Sequence, residues 1–60
     1  MIYRVKIQHS TGNKNNVNAL LISANEVDDS VRIALNKAKE LNWKEPTVIV
    51  STKVLEAHDA

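Results

Sequence analysis

The clearest pattern of hydrophobic and polar positions lies between Asn25 and Trp43, where apolar side chains recur at steps of three and four residues. The members of this apolar stripe are Val27, Val31, Ala34, Leu35, Ala38 and Leu41. Such spacing puts the side chains on one face of a helix, which we expect to lie on a sheet. Pro46 predicts where the helix stops, because the residue before a proline avoids helical geometry. The pattern predicts one amphipathic helix over residues 25–43.

The start of this helix carries two alternative signals. Ser23 and Glu26 have the spacing of a capping box, whereas Asn25 is itself a favourable N-cap. Asp28 and Arg32 are four residues apart, so we expect them to form an ion pair along the helix. Both capping arrangements leave the first helical residue open within about two positions.

The chain before the helix predicts a β-hairpin. Residues 2–8 alternate between apolar and polar side chains, as in a strand with one buried face. The polar run 9–16 contains the only glycine, Gly12, and predicts a loop longer than the tightest hairpin turn. Residues 17–24 predict a second strand with blurred alternation. Either a bulge shifts its register, or another chain covers one of its faces.

Residues 47–56 are rich in β-branched side chains and predict a third strand. The order β-β-α-β predicts an α+β fold, in which a three-stranded antiparallel sheet of order 2-1-3 carries the helix on one face. We expect residues 1–56 to form this single domain and residues 57–60 to be a disordered tail. The predicted core consists of Tyr3, Val5, Ile7, Leu20, Ile22, Val31, Ala34, Leu35, Ala38, Leu41, Val48 and Val50.

Size and composition add the expectation of a partner. A domain of 60 residues buries only about 60% of its unfolded surface. We therefore expect its stability to depend on a further interaction, such as association with another chain. The absence of cysteine excludes disulfides and fits a reducing compartment. Neither a membrane span nor a signal peptide is recognisable, so we expect a cytoplasmic protein without membrane contact. The net charge of +1 gives no overall attraction to nucleic acid.

Several apolar residues remain outside the predicted core, and we interpret them as an interface on the uncovered sheet face or its rim. They are Ile2, Val17, Leu21, Ile49 and Leu55. This surface predicts a homodimer or a complex with another protein. The alternative is a scatter of surface aliphatic side chains, which is normal for a soluble domain.

The outer side of the helix is a second candidate surface. Arg32, Asn36, Lys39 and Trp43 follow one another at i, i+4, i+7 and i+11, with Ile33 nearby. Tryptophan and arginine are enriched at binding hot spots, so this stripe predicts a protein-binding site. In the alternative interpretation, Trp43 folds back over the core and the charged residues are merely solvated.

Basic residues offer a third candidate surface, for nucleic acid. Arg4 and Lys6 are expected on the open sheet face, where Lys14 and Lys53 would join them along a phosphate backbone. This face lacks the aromatic residues on which RNA-binding sheets stack bases. Nucleic acid is therefore the weaker alternative to a protein partner.

The sequence offers little support for enzyme chemistry. His9 belongs to the predicted loop, and His58 stands beside Asp59 in the predicted tail, where no packed carboxylate would orient it. No cysteine nucleophile, phosphate-binding loop or metal-ligand spacing is present. We expect a non-catalytic protein with no cofactor and no metal.

Residues 17–54 contain LISAN at the end of the second strand, EVDDSVRIALNKA in the helix and a closing β-branched strand. This pattern resembles the DpnD/PcfM-like domain of mobile-element proteins. The chain length and the β-β-α-β order also resemble phage antitoxins of the Dmd type, which block a host ribonuclease toxin. The second resemblance implies a phage inhibitor that binds a host toxin or defence protein in the host cytoplasm, and it transfers no contact residue.

Overall fold

The computed structural model describes residues 1–54 and confirms the α+β fold with the element order β-β-α-β. The elements are β1 (Ile2–Thr11), β2 (Lys14–Ser23), α1 (Val27–Glu40) and β3 (Lys44–Val54). β1 pairs antiparallel with both neighbours, so the sheet has the predicted order β2-β1-β3. Helix α1 packs on one face of this sheet, mainly over β3. The predicted tail 57–60 lies outside the described residues.

The hairpin between β1 and β2 is tighter than predicted. Thr11 pairs directly with Lys14, so the turn has two residues and the predicted loop over 9–16 is wrong. Gly12 has a φ of 60°, which suits the first turn position of a type II′ hairpin. The polar residues near the turn belong to the ladder, and some of their side chains also form hydrogen bonds across it. Asn16, for example, donates from Nδ2 to Oγ1 of Thr11 at 2.8 Å.

β3 departs from regular alternation in its middle. Ile7 of β1 pairs with Val48, whereas its neighbour Lys6 pairs with Val50. Ile49 is therefore an extra residue, which makes a β-bulge. Val48 packs against the core, but Val50 is 42% exposed and lies with Lys6 on the uncovered face. The prediction that both valines belong to the core is wrong, because the bulge resets the alternation of the strand.

Beyond the bulge, the helix side of β3 carries a polar residue in place of an apolar one. Ser51 pairs with Val5, and its hydroxyl lies 2.7 Å from that of the fully buried Ser30 on α1. Ser30 donates its own proton to the Val27 carbonyl at 2.6 Å, so Ser51 is the donor in the pair. The hydrogen bond from Ser51 to Ser30 connects β3 to α1 at the core.

The first turn of α1 differs from the prediction. The helix begins at Val27, and the side chain of the N-cap residue Glu26 makes no capping hydrogen bond. Neither of the two predicted capping arrangements forms. Arg32 pairs with Asp29, and not with Asp28 as predicted, because residues three apart also face each other on a helix.

The last turn of α1 closes through backbone geometry. Asn42 has a φ of 63°, and its N–H donates to the Lys39 carbonyl at 3.0 Å. The N–H of Trp43 donates to the Ala38 carbonyl at 3.0 Å, which completes a Schellman motif. The helix therefore stops before residue 43, and the prediction that Pro46 sets the stop is wrong.

The core lies between α1 and the inner face of the sheet. Its buried apolar residues are Tyr3, Val5, Ile7, Ile22, Ala34 and Ala38, with Leu20, Ala24, Trp43 and Val48 packed against them. The prediction that Leu41 belongs to this core is wrong, because the helix ends at Glu40 and leaves Leu41 exposed. The fully buried apolar core is therefore small, with six residues among those described.

Candidate protein-binding edge and groove

The outer edge of β2 presents free backbone groups. The N–H of Ala24 donates to the Met1 carbonyl at 2.9 Å, which marks the Met1–Ala24 pair as hydrogen-bonded. Such pairs alternate with non-bonded pairs in an antiparallel ladder, so the even-numbered residues of β2 bond to β1. The backbone groups of Asn15, Val17, Ala19, Leu21 and Ser23 therefore point away from β1. Within residues 1–54, no strand pairs with this edge.

The segment 15–23 of β2 lacks the features that usually protect an edge strand. It has no charged residue, no proline and no glycine, and its pairing with β1 has no bulge. Natural sheets ordinarily use such features to prevent pairing with another chain. The side chains of Val17 and Leu21 are 56% and 67% exposed. This edge thus has the properties of a strand that accepts another strand.

A groove of about 470 Å³ lies at the end of this edge, beside α1. It is lined by Ser23, Ala24 and Asn25 on one side and by Asp29, Arg32, Ile33 and Asn36 on the other. The helical residues are three or four positions apart and so share one face of α1. Ile33 is partly exposed and gives the groove an apolar surface, while Arg32 carries its charge at the rim. Ser23 belongs to both features, so the groove continues the free edge.

The groove brings together three of the five predicted helix-side residues, which are Arg32, Ile33 and Asn36. Lys39 is exposed but does not line the groove. Trp43 lies beyond the end of α1 and is not in line with the other four. It packs against the core, as the alternative interpretation of the sequence had it.

Trp43 covers a buried histidine. The rings of Trp43 and His9 stack with their centroids 4.2 Å apart and an angle of 4° between their planes. Nε2 of His9 lies 2.7 Å from Oδ1 of Asn18, and its Nδ1 has no partner within residues 1–54. Because a carboxamide oxygen only accepts, Nε2 is the donor in this hydrogen bond. This arrangement seals the hairpin end of the core.

The predicted apolar interface is present in part. Val17 and Leu21 lie on the uncovered face of β2, next to the free edge. Ile49 is exposed at the bulge of β3, and Ile2 is half-buried. Leu55 lies outside the described residues.

The predicted basic surface is divided between the two faces of the sheet. Arg4 and Lys6 are exposed on the uncovered face, and Lys14 is exposed beside the hairpin turn. Lys53 pairs with Tyr3, whose side chain is in the core, so Lys53 lies on the helix side. The prediction that Lys53 lies beside Arg4 is therefore wrong. The bulge at Ile49 moves Lys53 to the other face, as it does Val50.

Sequence reasoning missed the groove residues Ser23, Ala24, Asn25 and Asp29. The groove exists because α1 lies mainly over β3 and leaves β2 less covered, which no local pattern encodes. A sequence signal for the free edge was available, since the segment 15–23 has no charged residue.

Within the described part of the chain, no three histidine, cysteine or acidic residues are close enough to hold a metal ion. The one helix described there is too short and too polar to span a membrane. Comparison with models of known families, with curated proteins and with solved structures gave no match.

Proposed function

We propose that this protein is a non-catalytic interaction module that binds an extended segment of another protein along the outer edge of β2. The observation that carries this proposal is the unprotected, uncharged edge 15–23, which continues into the groove beside α1. Strand addition of this kind takes its affinity from main-chain hydrogen bonds and its specificity from alternate side chains.

The two faces of an added strand would meet different surroundings. Alternate side chains point to opposite faces of a sheet, so one set would enter the groove and contact Ile33 and Asn36. The other set would contact Val17 and Leu21 on the uncovered face. Arg32 at the groove rim suits an acidic residue of the partner, which would compete with Asp29 for the guanidinium group.

We further propose that the partner is a host toxin or defence protein, and that binding inhibits it in the manner of a phage antitoxin acting in the host cytoplasm. The support is the small size, the β-β-α-β order and a surface suited to binding. In this role the module would act by covering a surface of its target and would need no chemistry of its own.

The test removes one edge N–H without disturbing the ladder. Ala19→Pro deletes a donor that points away from β1, whereas Lys53→Pro makes the matched change on the outer edge of β3. The tagged protein is used to capture partners from extracts of the cells in which it is naturally made, and captured proteins are identified by mass spectrometry. We expect Ala19→Pro to lose a partner that the wild type and Lys53→Pro retain.

Circular dichroism of each variant checks that the fold survives. A partner retained by a folded Ala19→Pro variant would contradict binding at the β2 edge.

A further inference from the structure

Building on the proposed function, we propose that the β2 edge pairs with β2 of a second copy of this chain, antiparallel about Ala19, while no other protein occupies it. A strand of another protein would then compete with self-pairing for the same edge. The two copies would form one continuous six-stranded sheet with both helices on the same face. A two-fold axis through a pair of equivalent residues is the symmetry that identical subunits most often use.

The side chains of β2 favour this register. With Ala19 opposite its own counterpart, Val17 lies opposite Leu21 of the second copy, and Asn15 lies opposite Ser23. The exposed apolar side chains of both strands then cover one another on the uncovered face. The paired segment 15–23 carries no charge, so no like charges face each other along it.

Charge complementarity supports the same register at the ends of the paired strands. Lys14 is even-numbered, so its side chain lies on the helix side of β2, and it makes no ion pair within residues 1–54. In the proposed register it lies opposite Ala24 of the second copy, which lines the groove. Asp29, which pairs with Arg32, lines the same groove and provides a carboxylate on that side of the sheet. A shift by one pair in one direction would place Lys14 opposite the buried Ile22. A shift in the other direction would place Lys14 opposite Glu26, but it would also place Val17 opposite Ser23 and break the apolar pairing with Leu21.

The uncovered sheet face is a poorer site for a second copy. Arg4 and Lys6 lie on the central strand of that face, so a face-to-face dimer would bring like charges together. In the edge-paired dimer, the two copies of β1 are three strand spacings apart, about 14 Å. At physiological salt this separation exceeds the screening length of about 8 Å.

Sedimentation velocity over a range of protein concentrations tests the dimer, and charged substitutions at Ala19 test its register. Ala19→Glu and Ala19→Lys each place like charges face to face across the two-fold axis. Each variant alone should dimerise at least about tenfold more weakly than the wild type. An equimolar mixture should recover the dimer, because glutamate then faces lysine.

The control Thr47→Glu places the same charge on the exposed edge strand β3 and should leave dimerisation unchanged. Ala19→Glu puts its acid beside Lys6 of β1, so this variant does not endanger the fold. A wild type that stays monomeric, or a dimer that both charged variants retain, would overturn the proposal.

A cross-linking experiment measures the same contact without relying on charge. The chain has no cysteine, so Ala19→Cys introduces a single thiol. Opposite residues of a hydrogen-bonded pair have Cα atoms about 5.5 Å apart, a distance that a disulfide spans. Ala19→Cys should form a covalent dimer on mild oxidation, and Asn13→Cys at the turn should not. Equal cross-linking of the two variants would contradict the register.

These results also separate the self-pairing from the proposed function. If the wild type is monomeric but Ala19→Pro still abolishes capture of another protein, only self-pairing is overturned. If capture of another protein does not respond to Ala19→Pro, the proposed function is overturned and sedimentation still decides the dimer.

Discussion

The two edge strands of the sheet are built in opposite ways. β2 pairs with β1 without interruption and carries no charge between residues 15 and 23. β3 has one break in register at Ile49 and a second near Pro46, where Glu45 adopts a φ of 51°. Bulges, prolines and charges are the means by which sheets block their edges. The difference indicates that pairing is prevented on one side and permitted on the other.

Helix α1 reinforces this difference. It lies mainly over β3, to which the hydroxyl pair of Ser30 and Ser51 ties it, and it leaves the groove open beside β2. The strand with the irregular backbone is thus the one that the helix covers best. The regular strand keeps both its backbone edge and an adjoining groove accessible.

Neighbouring side chains on β2 should differ most in their effect on stability. Ile22 is buried in the core, so Ile22→Ala should lower the free energy of unfolding by about 2–5 kcal/mol. Leu21 is 67% exposed, and Leu21→Ala should change the free energy of unfolding by less than about 0.5 kcal/mol. Urea unfolding in dilute solution measures both. Equal losses would show that β2 is covered on both faces.

Two valines of β3 test the bulge itself. Val48→Ala removes a side chain that packs against the core and should lower the free energy of unfolding by about 1–2 kcal/mol. Val50→Ala removes an exposed side chain and should cost less than about 0.5 kcal/mol. Simple alternation would make the two variants equivalent. Similar midpoints in urea would therefore argue against the bulge at Ile49.

Glycine substitutions in the two edge strands should change the free energy of unfolding in opposite directions. Glu45 is held at a positive φ, so Glu45→Gly should raise the free energy of unfolding by up to about 1 kcal/mol. Ala19 lies in regular strand, so Ala19→Gly should lower it by about 0.5–1 kcal/mol. Thermal unfolding followed by circular dichroism compares the two. Destabilisation by both substitutions would mean that the backbone at Glu45 is not strained.

The element order and sheet topology could be predicted because they depend on local periodicity and on the short connection between the first two strands. The alternation over residues 2–8 and the three-and-four spacing of the helix stripe each point to one structure. The core positions that follow directly from these patterns, such as Val5 and Ala34, are buried.

The errors fall where backbone geometry overrides the side-chain pattern. The β-branched run predicts the wrong face for Val50 and Lys53, because it gives no sign of the extra residue in β3. The sequence pattern also predicts that Leu41 and Trp43 belong to the helix, with Pro46 as its stop. The helix ends earlier, because Asn42 adopts the left-handed conformation. The candidate site was found only in part, since its groove depends on the position of α1 over the sheet.

The irregular backbone of β3 has a consequence for growth of the sheet. Amyloid fibres extend because each added chain exposes a new strand edge with which the next chain can pair. Here the far margin of the sheet formed by residues 1–54 is broken at Ile49 and again near Pro46. If a strand adds at β2 as proposed, the irregular backbone of β3 would oppose further addition on the other side of the sheet, so the assembly would stop growing.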